Sequence, residues 1–219
     1  MRKRVQEDLT FGIRSVIEAI KQGKTINKIL LQKGLTGELV KELLILVNKE
    51  KIIVQKVPTQ KLNHMVKKNH QGVIAMISPV AYHQIDWLVQ EVYEKGEDPF
   101  ILILDRVKDV RNFGAIARTA ECFGVHAIVI PSKDSALITN DAVKTSAGAL
   151  FKIPVCKVIS LTDAVDFLIG CGLKVFACTE KSETLINKVK SSGPKVLIMG
   201  SEEDGVDHKL LKMTDVNFK

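Results

Sequence analysis

The chain has 219 residues, 46% of them hydrophobic, and a formal net charge of +7. That is enough apolar sequence for one large domain or two small ones, and it excludes a disordered or collagen-like chain. No apolar run reaches the roughly 18 residues of a membrane span, and the start lacks the apolar core of a secretory signal.

The first third predicts a small α/β sandwich. Residues 11–20 place Ile13, Val16, Ile17 and Ile20 at helical spacing, and Gly23 stops the helix. INKILLQ (26–32) reads as a strand, and Thr36 opens a second helix through Val47. IIVQKV (52–57) is a strand ending at Pro58, residues 59–67 form a short helix, and GVIAMI (72–77) is a last strand. Residues 78–99, with Pro79, Trp87 and the Gly96 to Pro99 cluster, read as a connection, with Trp87 packed against a neighbouring domain.

From Phe100 the pattern becomes a strand–helix alternation. Apolar strands are predicted at 100–105, 126–131, 152–158, 173–179 and 195–200. Helices fill 111–123, 140–147, 161–170 and 207–213. Continuous apolar strands spaced by helices mean a parallel sheet buried on both faces. Ligands on such sheets bind at the carboxyl ends of the strands. The predicted organisation is therefore residues 1–77 as one domain, 78–99 as linker and 100–219 as a second domain.

Charge supports that division. Residues 1–77 carry 15 basic and 6 acidic side chains, a surplus of +9; residues 78–219 carry 17 and 19, a balance of −2. A basic module joined to a near-neutral one points to a grip on a polyanion by the first part.

Two loops carry candidate chemistry. After Asp105, the segment DRVKDVRNFGAIARTA brings Asn112, read as a helix cap, and Arg118, both expected at the same end of the sheet. An amide and a guanidinium there suit a phosphate or a ribose. After the last apolar strand, GSEEDG (200–205) offers Gly200 and Gly205 for close backbone approach, with Glu202 as an acceptor. It is neither GxGxxG nor a Walker loop. SAGA (146–149) reads as a close-packing segment.

The cysteines Cys122, Cys156, Cys171 and Cys178 show no CxxC pair and are expected to be reduced core residues of a cytoplasmic protein. The five histidines are scattered, with no HExxH and no Ser-His-Asp order, so no metal is expected, and His126 reads as structural.

NFGAIARTA (112–120), SAGA (146–149) and LIMGSEEDG (197–205) resemble motifs one and two of the SpoU (TrmH) family of RNA 2′-O-ribose methyltransferases. FGIRSVIEAI (11–20) and HQGVIA (70–75) resemble the L30e-like RNA-binding domain of its two-domain members. The resemblance implies an N-terminal L30e-like α/β sandwich followed by a parallel-sheet, trefoil-knotted SPOUT methyltransferase domain. It further implies S-adenosylmethionine as cofactor, RNA as partner and a homodimer. Motif one assigns Asn112 and Arg118 to catalysis, and motif two assigns Glu202. Thr179, Gly200, Ser201 and Gly205 fall at the cofactor. Arg118 is expected to hold a phosphate and stabilise alkoxide charge, with Asn112 and Glu202 positioning the ribose and Arg118. The expected substrate is a guanosine of large-subunit ribosomal RNA; the alternatives are tRNA, or an RNA-binding or assembly protein without catalysis. The family's third motif, which closes the knot, is expected beyond Lys219, so the methyltransferase domain reads as C-terminally incomplete.

Overall fold

A computed structural model describes residues 9–219 of the chain. They form two compact units: residues up to Val80 with Ile138–Asn140, and Ala81–Leu137 with Asp141–Lys219.

The first unit runs β1 (Leu9–Phe11), α1 (Ile13–Lys21), β2 (Ile26–Gln32), α2 (Glu38–Lys49), β3 (Val54–Val57), α3 (Thr59–Met65) and β4 (Val73–Ile77). Its sheet has the order β1-β4-β2-β3. β4 is antiparallel to both β1 and β2, and β3 is parallel to β2. The period of two in β2 decides the layers. Ile29 and Leu31 join Val16, Ile17 and Ile20 of α1 and Leu43 and Val47 of α2 on one face. Leu30 turns the other way, to Leu62 and Val66 beside α3. Each fully buried Ile or Leu here stabilises the unit by about 1.5–3 kcal/mol.

One buried polar group ties down the HQGVIA segment. His70 Nδ1 accepts the backbone N–H of Gly72 at 3.0 Å, so its proton sits on Nε2, which donates to Asn63 Oδ1 at 2.7 Å.

The second unit runs β5 (Tyr82–His83), α4 (Ile85–Glu94), β6 (Phe100–Leu104), α5 (Val110–Cys122), β7 (Ala127–Pro131), α6 (Asn140–Thr145), β8 (Val155–Val158), α7 (Leu161–Gly170), β9 (Lys174–Cys178), β10 (Lys195–Met199), α8 (His208–Leu211) and β11 (Val216–Phe218). The first residue of α6 clusters with the first unit. All seven strands are parallel, in the order β11-β9-β10-β6-β7-β8-β5. One face packs Ile101, Ile103, Val129, Val175, Val196 and Ile198 against helices α4, α7 and α8. The alternate residues Leu102, Leu104, Ile128 and Ile130 are equally buried, and α5 turns Phe113, Gly114, Ala117 and Ala120 inward.

Three expectations need correction. Residues 81–99 are no linker: β5 pairs with β8, and α4 buries Leu88, Val89 and Val92 in the core of the second unit. The polar face of α4 masks that apolar stripe in the sequence. Trp87 lies on the outward side of α4 and is 57% exposed, not packed. The cysteines are all free, but only Cys156 is buried; Cys122 and Cys178 are exposed.

SAGA is a packing device, as its small side chains predict. Ser146 is buried and donates to Val143 O at 2.8 Å, while its Oγ accepts from Leu150 N at 3.3 Å. Gly114 of α5 faces this turn: a Cβ there would meet Ala142 O at 2.6 Å and Thr145 Cβ at 2.8 Å.

Candidate active site

Parallel register brings three loops to one edge. Met199 of β10 lies level with Leu104 of β6 and Cys178 of β9. The next residues, Gly200, Asp105 and Thr179, therefore leave the sheet side by side, at its carboxyl end.

The loop after β10 is closed on itself. Gly205 N donates to Ser201 O at 3.0 Å, and Asp204 N donates to Ser201 Oγ at 3.0 Å. Gly205 takes φ +66°, which glycine adopts without penalty. A Cβ on Gly200 would lie 2.0 Å from Gly205 C and 2.1 Å from Gly205 O. No other residue fits, because backbone rather than a movable side chain occupies the space.

The loop after β6 leads into α5. Asp109, not Asn112, caps that helix: its Oδ1 accepts from Arg111 N and Asn112 N, both at 2.8 Å. The Asn112 amide is thereby released from capping, and its Nδ2 donates to Glu202 Oε1 at 2.8 Å. Motif one and motif two thus touch through these two side chains.

Arg118 is not part of this contact. With α5 beginning at Val110, Arg118 stands about 9 Å further along the axis than Asn112 and about 120° round it. It is exposed, and among the described residues its guanidinium makes no hydrogen bond or ion pair.

The loop 200–205 is the common wall of two cavities. One, of ≈ 260 Å³, is lined by Thr179, Lys181, Gly200, Ser201, Gly205 and Leu211 among others. Thr179 is fixed there by its N–H, which donates to Phe218 O at 2.8 Å. All four residues expected at the cofactor meet in this cavity. The other, of ≈ 530 Å³, lies on the Asn112 side and includes Arg106, Lys108 and Ile116. Glu202 lines both.

Sequence reasoning misses the groups that hold this wall in place. Asp105 is only 4% exposed, and its Oδ2 accepts from Asp207 N at 2.7 Å. Arg106 donates to both Asp105 oxygens, to Gly205 O and to Asp204. The Asp105 carboxylate raises the Arg106 pKa above the ordinary range. The one signal in the sequence is an acid ending a strand with an arginine directly after it. Among the described residues no cluster of His, Cys, Asp or Glu could hold a metal ion. No described helix is long and apolar enough to cross a membrane.

Fold and edge together define a parallel α/β protein with two cavities at the carboxyl ends of its strands, where proteins of this class bind ligands. The chain belongs to the SpoU rRNA methylase family, whose model matches residues 99–219, and residues 9–83 match the RNA 2′-O ribose methyltransferase substrate-binding domain. It is thus a member of a family of RNA methyltransferases. A protein of Bacillus subtilis (strain 168) named for the TrmH family of tRNA/rRNA methyltransferases is 32% identical over 214 residues, 98% of this chain and 86% of the relative. A Staphylococcus aureus (strain MSSA476) protein of the same description is 33% identical, covering 98% and 87%. Among solved structures, the SpoU methyltransferase AviRb of Streptomyces viridochromogenes aligns with TM-score 0.56 at 19% identity, over 96% of this chain and 78% of that one. An rRNA methyltransferase of Sinorhizobium meliloti gives 0.55 at 20%, over 96% and 77%. At those identities the structural likeness speaks for the fold alone.

Proposed function

We propose that this protein transfers a methyl group from S-adenosylmethionine to a ribose 2′-hydroxyl of ribosomal RNA, working as a cytoplasmic homodimer. The observation that carries the reading is the 2.8 Å contact between Asn112 and Glu202, beside a cavity that gathers Thr179, Gly200, Ser201 and Gly205. The cavity's donor set fits such a cofactor. Glu180, Glu202 and Glu203 complement an ammonium and a sulfonium, and Lys181 complements a carboxylate. AviRb has also been crystallised with this cofactor.

When bound, the sulfonium supplies an activated methyl group. What remains for the protein is alignment and charge. Gly200, Ser201, Gly205 and Thr179, which line the cavity, would hold the cofactor there. Glu202 accepts from the ribose or from Asn112, and the pair holds the 2′-oxygen in line. Arg118 would engage the adjacent phosphate and stabilise the developing alkoxide; a guanidinium keeps its proton in proteins and is a poor base, so the hydroxyl proton would leave to water as the O–C bond forms and the C–S bond breaks. Its exposure on α5 leaves it open to RNA, or to the active site of a second copy. Phe123 and Phe151 are 75% and 67% exposed, large apolar side chains of the second unit that a second copy could cover.

Residues 1–77, with their +9 surplus, supply the phosphate grip. The family description favours ribosomal RNA, while the relatives' names include tRNA. Calorimetric titration of S-adenosylmethionine, followed by methyl transfer to ribosomal RNA and to tRNA, tests the reading. Saturable binding with transfer to ribosomal RNA is expected. RNA binding without cofactor binding would replace it with a non-catalytic RNA-binding protein.

A further inference from the structure

The side chain that ties the two edge loops together has no role in the reaction above. Arg106 is the first residue of the β6–α5 loop after buried Asp105, and its backbone stands at φ +58°. That conformation is costly for a residue with a Cβ and persists only where surrounding contacts enforce it. Here the contacts are visible. Arg106 Nε lies 3.2 Å from each oxygen of Asp105, and Nη2 lies 3.1 Å from Asp105 Oδ2. Nη2 also donates to the carbonyl of Gly205 at 3.1 Å, and Nη1 to Asp204 Oδ2 at 3.4 Å.

The guanidinium therefore reaches past its own strand end to grip the closing residues of the 200–205 loop. The same loop is held in its middle by Asn112, through Glu202. Both holds come from the β6–α5 segment. Other bonds do not replace them: Asp105 fixes Asp207, beyond the loop, and the Ser201–Gly205 bridge is internal to it. With Arg106 removed, the loop keeps its shape but loses its seat.

We infer that Arg106 is a positioning residue for methyl transfer, seating the 200–205 loop so that Glu202 meets Asn112 and the wall of the cofactor cavity is closed. The inference rests on the function proposed above.

Three substitutions test it. Arg106→Gly removes the guanidinium and suits the backbone conformation. Arg106→Lys keeps the charge without the fork. Asp204→Asn removes one hold at a side chain that is 66% exposed and outside the core. Each is measured for S-adenosylmethionine affinity by calorimetry, for methyl transfer, and for melting temperature without ligand. For Arg106→Gly the expected result is an affinity lower by about tenfold, since the cofactor must now order the loop itself. The ligand-free melting temperature should fall by several degrees in Arg106→Gly, because buried Asp105 loses its partner, and hardly at all in Asp204→Asn, so that an affinity loss shared by both is not an effect of stability. Arg106→Lys should recover part of the loss, and Asp204→Asn should show a smaller loss in the same direction. Parent-like affinity and transfer in Arg106→Gly would overturn the inference. So would a drop in melting temperature that accounts for the weaker affinity in both Arg106→Gly and Asp204→Asn. A parent chain that binds no S-adenosylmethionine overturns the proposed function and this inference with it, a result visible before any substitution is made.

Discussion

The two units use polar residues in opposite ways. The first carries a basic surplus dispersed along its sequence, and its buried histidine fixes a turn of its own backbone and holds Asn63. The second is nearly neutral and gathers its polar side chains at one edge, where three strands end level. A surface of many weak contacts tolerates the removal of any one, but it is screened by salt. A cluster of few contacts resists salt and fails on small displacements. Recognition and chemistry are thereby given to different physics within one chain.

The sharpest way to break this contrast is at Gly200. Gly200→Ala places a Cβ 2.0 Å from backbone and should abolish S-adenosylmethionine binding by calorimetry, at a cost of about 3 kcal/mol or more to the second unit. RNA affinity, measured by filter binding, should survive. Next is Arg118→Ala, expected to lower methyl transfer by at least about 100-fold while leaving cofactor affinity within about twofold. A large fall in cofactor affinity would show that the exposed guanidinium serves a different partner.

The charged unit should respond gradually. RNA affinity should fall steeply with salt. Lys67 and Lys68 are exposed just beyond α3, and the double change Lys67→Gln/Lys68→Gln should reduce the slope of log affinity against log salt by about one for each phosphate that a lysine no longer neutralises. Smaller still is Asp109→Ala, which removes the α5 cap and should cost about 1 kcal/mol in chemical denaturation. The thiols make the mildest probe. Burial, with the Asp86 charge adding to it, pushes the Cys156 thiol up to about 12. Cys122 and Cys178 should therefore react with a thiol reagent in the folded protein at neutral pH, and Cys156 only after unfolding.

Much of this architecture is legible in the amino-acid order. β2 and α7 fall where apolar spacing puts them, residues 26–32 and 161–170, because local pattern and burial agree there. The loops after β6 and β10 stand out for the same kind of reason, since parallel strands leave their carboxyl ends in one row. What cannot be read depends on partners distant in sequence. β1 and β5 are three and two residues long and exist only through pairing with β4 and β8. Asn112 resembles a cap because capping residues are interchangeable in sequence; Asp109 takes that role and frees it. Spacing places Arg118 beside Asn112, and helix phase sets it apart. Arg106 gives no periodic signal at all, because its work lies in a positive φ and in contacts about a hundred positions away.

The strand order also governs how the second unit can come into being. β6, near the middle of the sheet, is flanked by β7 and β10, and β10 begins at Lys195. During synthesis one side of β6 thus stays open until nearly a hundred further residues have been made. In the first unit, by contrast, β2 has both neighbours by Ile77. The four-stranded sheet of the basic unit can form while the ribosome is still translating the rest, whereas the parallel sheet must wait and form late through long-range pairing. The molecule therefore acquires its grip on polyanions before it acquires a site at which to use it.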